Sequence, residues 1–210
     1  MSRVLNPARR QLIVALHDIG AVRFGEFKLK SGIISPIYVD LRILISHPST
    51  LGLVADALIE ELKPLSFQRI AAIPYSALPI ATAVSLKADL PLIYPRREEK
   101  GYGTRRRIEG EFEAGETAVV IDDVITTGDS KLEAIAPLEA AGLILKDIAV
   151  VVDRGQGGAR EMGDRGYRLH SVLHLEEILG ELHVQGLIDE AGYSQSLAFL
   201  AERKAPTPPE

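Results

Sequence analysis

The stretch Ala118-Val119-Val120-Ile121-Asp122-Asp123-Val124-Ile125-Thr126-Thr127-Gly128-Asp129-Ser130 constrains this chain more than any other. Residues 118–121 are apolar and mostly β-branched, as suits a strand covered on both faces. Two adjacent carboxylates follow, then a short segment of hydroxyls and glycine, then a helical pattern over residues 130–141. Strand, tight loop and helix in that order set free backbone N–H groups above the strand's end, where an anion fits. An Asp-Asp pair alone reads as one capping and one solvated carboxylate. The hydroxyl- and glycine-rich segment after it reverses that reading.

The same alternation runs through the rest of the chain. Residues 69–73, 91–94, 118–124, 147–152 and 168–174 read as strands. Residues 79–87, 130–141, 175–182 and 188–202 read as helices. This order predicts an α/β protein with a central parallel sheet flanked by helices. Upstream, Asn6-Pro7 offers an N-cap and a first helical position for a helix reaching about Gly20. Residues 22–32 alternate apolar and polar and end in a turn; with the extended segment 35–41 they predict an antiparallel pair. His47-Pro48-Ser49-Thr50 then caps an amphipathic helix carrying Leu53, Val54, Leu58, Ile59 and Leu62 on one face. With 210 residues and 46% hydrophobic content, the chain can bury a full core. We expect one domain over residues 1–204: a small N-terminal hood over 1–45, then a core with C-terminal helices over 46–204. The proline-rich 205–210 reads as a disordered tail.

Several classes are excluded. Without cysteine there are no disulfides, thiolate nucleophiles or zinc ribbons. The first residues lack a signal-like apolar run, and no window reaches the ~18 apolar residues of a membrane span. A cytoplasmic protein without membrane association is expected. A net charge of −5 gives no general basic field, so nucleic acid is not an expected partner. No G-x-x-x-x-G-K-[ST] occurs, and no strand is followed by G-x-G-x-x-G, which removes nucleotide-triphosphatase and dinucleotide readings. His17, His47, His170, His174 and His183 show no metal-ligand spacing.

One connection is anomalous. Residues 95–117 separate two strands with almost no apolar periodicity, and connections beyond ~12–15 residues are uncommon in compact domains. This one carries Arg96, Arg97, Lys100, Arg105, Arg106 and Arg107 beside several glutamates. It reads as a solvated hairpin or as a mobile lid whose cations close over an anionic substrate, and the clustering of its basic residues favours the lid. A second N–H-rich loop, Ile73-Pro74-Tyr75-Ser76-Ala77-Leu78-Pro79, follows another parallel strand. Asp122 and Asp123 would repel a bare phosphate, so the ligand must also bring hydroxyls or a divalent metal. Two or three phosphate subsites around a hydroxyl-binding carboxylate pair suggest a phosphorylated ribose carrying a pyrophosphate.

These residues resemble a known family. Ile121-Asp122-Asp123-Val124-Ile125-Thr126-Thr127-Gly128 is similar to the phosphoribosyl-pyrophosphate signature of the type I phosphoribosyltransferases. Three further stretches resemble the orotate phosphoribosyltransferases: Phe27-Lys28-Leu29-Lys30-Ser31-Gly32 with Ser35-Pro36, residues 96–104, and Asp153-Arg154-Gly155-Gln156-Gly157-Gly158. The resemblance covers roughly residues 24–204 and is nearest the phosphoribosyltransferase half of bifunctional uridine monophosphate synthase. It implies the type I phosphoribosyltransferase fold and Mg²⁺-dependent transfer of a phosphoribosyl group from phosphoribosyl pyrophosphate to N1 of orotate. It further implies a homodimer sharing the 95–117 loop across subunits.

Site roles follow from the same resemblance. Lys30, Tyr38, Val39, Thr126 and Arg154 would meet orotate, with the Arg154 fork on its carboxylate. Asp122 and Asp123 would hold the ribose hydroxyls, directly or through Mg²⁺ and water, as anchors rather than as general acid and base. Val124, Ile125, Thr126, Thr127, Gly128, Asp129 and Ser130 would line the ribosyl-donor loop, with residues 127–130 around the 5′-phosphate. Tyr75, Ser76, Arg96, Arg97, Lys100 and Tyr102 would take the pyrophosphate, and Lys100 is the leading candidate for the leaving-group cation. The chain departs from many bacterial relatives in having Ser76 for a lysine and Tyr102 for a histidine, and Arg97 is commonly lysine. A purine or uracil enzyme fits less well, since a neutral base needs no cationic clamp such as Lys30 and Arg154. A ribosyl-donor-sensing regulator would want a basic or helix-turn-helix face that this chain lacks.

Overall fold

In the computed structural model, residues 5–28, 32–96 and 107–204 are described. The Asn6 side chain accepts the Arg9 N–H at 2.9 Å, and Pro7 follows it at the start of helix α1 (Pro7–Asp18). This is the cap-plus-proline start that the sequence announces. Strands β1 (Val22–Lys28) and β2 (Ile34–Val39) form a separate antiparallel pair. Their register shifts between Phe24 and Phe27, where Gly25 has φ 143°. Val22 and Ile37 turn into the main core. On the other face Tyr38 stacks on Phe27 with ring centroids 5.3 Å apart.

An unexpected 3-10 turn, Leu41–Ser46, leads from the hairpin into α2 (Pro48–Leu62). The α2 stripe is selected as its spacing predicts: Val54, Leu58 and Leu62 are buried, each side chain worth roughly 1.5–3 kcal/mol. Beyond it lies a six-stranded sheet built from β3 (Arg69–Ala72), β4 (Leu92–Pro95), β5 (Ile108–Glu109), β6 (Thr117–Ile125), β7 (Ile144–Asp153) and β8 (Arg168–His174). Its order is β5-β4-β3-β6-β7-β8. Every neighbouring pair is parallel except β4–β5.

Helices α3 (Ala77–Ala88), α4 (Asp129–Ala140), α5 (Gly158–Asp164), α6 (Leu175–Val184) and α7 (Glu190–Lys204) complete the chain. The pleat divides β6 between two cores. Val119 and Ile121 pack with α2 and α3 residues such as Val54, Leu58 and Ile80, whereas Ala118 and Val120 pack with Ile135 and Leu138 of α4. The near-continuous apolar run of β6 is what a strand covered on both faces requires.

Three features extend the expected pattern. The central strand, expected over 118–124, spans Thr117–Ile125, and Ile125 still pairs with Asp153 of β7. The described part of the long connection forms an antiparallel pair: β5 pairs with β4, and the Arg96 N–H donates to the Arg107 carbonyl at 2.8 Å. The glycine-rich turn after β7 opens the short helix α5, which no periodicity announced.

Candidate active site

The carboxyl ends of β3, β6 and β7 meet at one edge of the sheet, where open α/β sheets hold ligands. After β3, residues 73–76 form a loop with a cis Pro74–Tyr75 peptide. The Ile73 N–H donates to the Ile121 carbonyl at 3.0 Å, which ties this loop to β6. Tyr75 is exposed and Ser76 is the N-cap of α3.

At the end of β6 the two carboxylates have different surroundings. Asp122 is 3% exposed, forms an ion pair with Lys131, and accepts the Asp123 N–H at 2.8 Å. Burial pushes its pKa up to about 7, against the pull of the Lys131 ammonium and with the push of neighbouring Asp123. Asp123 is half-buried, its side chain turned to the other face by the pleat. One of its oxygens accepts the Val124 N–H at 2.8 Å.

The loop that follows leads straight into α4. Thr126 is half-buried, Thr127 and Asp129 are exposed, and the Thr127 hydroxyl donates to an Asp129 carboxylate oxygen at 3.1 Å. Gly128 has φ 104°, and a Cβ there would meet Met162 Cε at 2.6 Å. The positive φ is what favours glycine there, since the flexible end of Met162 could shift away from a Cβ. Ser130 lies in the first turn of α4, whose N-terminal N–H groups suit a phosphate.

The turn after β7 docks against this loop. The Arg154 N–H donates to the Ile125 carbonyl at 3.0 Å. A Cβ on Gly158 would lie 2.6 Å from both the Thr126 carbonyl and Ile125 Cγ1. Asp153 is buried and accepts the Gly155 N–H at 2.8 Å, with His174 Nδ1 3.6 Å away. Arg154 Nε and Nη2 are buried without a hydrogen-bond partner among the described residues. Burial, then the charge of Arg203, lowers the Arg154 pKa from the ordinary arginine value. Two donors free on one edge of a guanidinium match the geometry of a carboxylate.

Asp122, Asp123, Val124, Ile125, Thr126, Thr127, Gly128 and Arg154 are thus gathered on two interlocked segments, and the Tyr75–Ser76 loop is bonded beside them. Tyr38 and Val39 fall on opposite faces of β2, so their side chains do not share one surface: Val39 packs against the main core, while Tyr38 stacks outside it. The Arg96 guanidinium pairs with Glu109. Lys30, Arg97, Lys100 and Tyr102 lie outside the described residues. Sequence reasoning passed over Lys131 and gave Asp153, though within the arginine turn, no role of its own. Lys131 was detectable, since with Ile135 and Leu138 it completes an i, i+4, i+7 stripe whose other two members are buried.

No family model matches the chain. It is 43% identical over 191 residues to the bifunctional enzyme PyrF/PyrE of Nostoc sp., covering 91% of this chain and 39% of that one. Against the orotate phosphoribosyltransferase of Pyrobaculum aerophilum it is 40% identical over 192 residues, covering 91% and 98%. The solved structure of Leishmania donovani UMP synthase superposes with a TM-score of 0.86 at 42% identity, covering 93% of this chain and 42% of that one. The chain therefore spans about two-fifths of the bifunctional relatives and nearly the whole of the Pyrobaculum enzyme. With the signature loop, the docked arginine turn and the parallel sheet in place, the chain belongs to the orotate phosphoribosyltransferase family.

Proposed function

We propose that the chain transfers the 5-phosphoribosyl group of phosphoribosyl pyrophosphate to N1 of orotate, giving orotidine 5′-monophosphate and pyrophosphate, a step of pyrimidine biosynthesis. The observation that carries this reading is the buried Arg154 fork, without a hydrogen-bond partner among the described residues, beside the loop at residues 126–130. It offers a carboxylate site within reach of a phosphate site, as orotate and the ribosyl donor together require.

In the reaction N1 of orotate attacks the anomeric carbon while the bond to pyrophosphate breaks, with inversion and a sugar of oxocarbenium character. No covalent nucleophile is needed. Residues 127–130 hold the 5′-phosphate on the N-terminus of α4, and Asp122 and Asp123 anchor the ribose side. Arg154 fixes orotate by its carboxylate, and Thr126 lies between the two segments to meet the base. Lys30 and the hairpin around Tyr38 and Val39 are assigned to the base side, and Tyr75, Ser76, Arg96, Arg97 and Tyr102 to the pyrophosphate. Lys100 neutralises the departing pyrophosphate; aligning reactants, neutralising charge and excluding water supply the rate.

Mg²⁺ fits this donor set. Among the described residues no cluster of three or more ligating side chains exists, and Mg²⁺ characteristically takes one or two carboxylates with substrate phosphates and water. Asp122 and Asp123 would hold it on the ribosyl donor, where it supplies charge neutralisation. The resemblance of residues 96–104 to a catalytic loop also supports a homodimer sharing the 95–117 connection across subunits. One catalytic domain over 1–204 is supported by the main core, which joins Val22 and Ile37 of the hairpin to Ile70 and Ile121 of the sheet. No helix among the described residues is long and apolar enough to cross a membrane, in keeping with the cytoplasmic assignment. The deciding assay follows orotate absorbance with phosphoribosyl pyrophosphate, with and without Mg²⁺. Mg²⁺-dependent loss of orotate is expected; turnover of a different base alone would overturn the assignment.

A further inference from the structure

Lys131 is 5% exposed, although lysine is almost never fully buried unless paired. It sits in the first turn of α4, and its ammonium has two partners on the strand before the loop. It forms an ion pair with Asp122, and it donates to the Val124 carbonyl at 2.7 Å. The Val124 carbonyl lies two residues before Thr126, and Lys131 three residues after Gly128. One side chain therefore spans both ends of the donor loop. It also occupies Asp122, whose other contact is the Asp123 N–H at 2.8 Å. Asp123 lies on the opposite face of the strand and has no such cation among the described residues.

We propose that Lys131 is a positioning residue for the ribosyl donor: its ammonium clamps the end of β6 to the first turn of α4, sets the shape of loop 126–128, and leaves Asp123 as the carboxylate open to the ribose. The inference rests on reading residues 127–130 as the donor phosphate loop. It divides the labour of the two carboxylates. Both still anchor the ribose side, Asp123 by direct contact and Asp122 from its place in the clamp. Removing one partner of such a buried pair leaves an uncompensated charge.

The test uses the full chain with Lys131→Met, which keeps the aliphatic stem, and Lys131→Arg, which keeps the charge. Donor and orotate are varied independently, and the midpoint of thermal unfolding is followed in parallel. Lys131→Met is expected to raise the KM for phosphoribosyl pyrophosphate about 10-fold or more while the KM for orotate stays within about twofold. Lys131→Arg is expected to recover most of the donor affinity. An unchanged donor KM in Lys131→Met, or equal losses for both substrates, overturns the proposal. If the unpaired Asp122 prevents that variant from folding, Asp122→Asn/Lys131→Met removes both buried charges. That double variant is expected to fold with the raised donor KM, and a normal one overturns the clamp. Calorimetric binding of phosphoribosyl pyrophosphate alone separates this proposal from the activity. A wild-type chain that binds donor in a Lys131-dependent way but consumes no orotate upholds the clamp while removing the proposed reaction.

Discussion

Replacing Arg154 by methionine probes binding and stability in opposite directions. Nε and Nη2 are both buried without partners among the described residues, and an unmet buried donor costs about 1–3 kcal/mol. Methionine retains the aliphatic bulk and removes both donors together with the repulsion from Arg203. The ligand-free variant should therefore gain about 1–2 kcal/mol, and each kcal/mol raises Tm by about 2–4 °C in a chain of this size. Binding moves the other way. Losing a bidentate, charge-assisted pair forfeits about 3 kcal/mol, or on the order of a 10²-fold rise in the KM for orotate. The KM for phosphoribosyl pyrophosphate should stay close to its wild-type value. Thermal unfolding and initial rates with orotate varied at saturating donor read both effects. A lowered Tm with an unchanged orotate KM would falsify the anion-receptor reading and make Arg154 a packing residue.

Other perturbations reach different links. Lys100→Ala should lower kcat by on the order of 10²-fold, the scale of one lost transition-state partner; near-normal turnover in a stopped assay removes it from catalysis. Gly158→Ala forces a methyl group against the Thr126 carbonyl and Ile125. It should cost about 1–3 kcal/mol in chemical unfolding and raise both KM values, whereas a wild-type profile would show that the two segments are not coupled. Asp147, at the opposite edge of the sheet, is pushed up by burial but held below the ordinary aspartate value of 3.8 by hydrogen bonds from Arg168 and His170. Its stabilisation is complete above 3.8 and is lost as pH falls through the lower folded value. Urea midpoints of Asp147→Asn and wild type should accordingly differ at pH 7 and converge only once the pH falls below the lowered folded value; a gap that persists in still stronger acid contradicts this.

Legibility in the sequence followed how far each signal acts. The cap at Asn6-Pro7, the α2 stripe and the strand–helix alternation are local and periodic, and each appears where its spacing places it. Strand β6 was legible to within one residue at either end, and pairing with β7 carries Asp122 and Asp123 into its ladder. Helix α5 is a 7-residue element opened by glycines, too short to show a period. The candidate site was legible as a motif, since Gly128 and the Asp pair stand in sequence. Its wiring was not. Lys131 looks like an ordinary helical lysine until the ion pair with Asp122 is seen. The pleat that separates Tyr38 from Val39, and Asp122 from Asp123, follows from strand geometry alone and was available in principle.

The sheet order also bears on how the chain reaches its native state. Ile70 pairs with Leu92, Thr117 with Ile144 and Asp147 with Arg168, partners separated by one short helical excursion each. Arg69 pairs with Ala118 across a much longer stretch. Contacts distant in sequence carry a larger closure entropy and form more slowly. The chain thus divides kinetically into a β3–α3–β4 half and a β6-to-β8 half, joined along β3–β6. The loop at residues 73–76 belongs to the first half and the loop at 126–130 to the second. A donor gripped by both would staple the slowest seam in the molecule, so its presence should retard unfolding there more than its equilibrium stabilisation of either half alone.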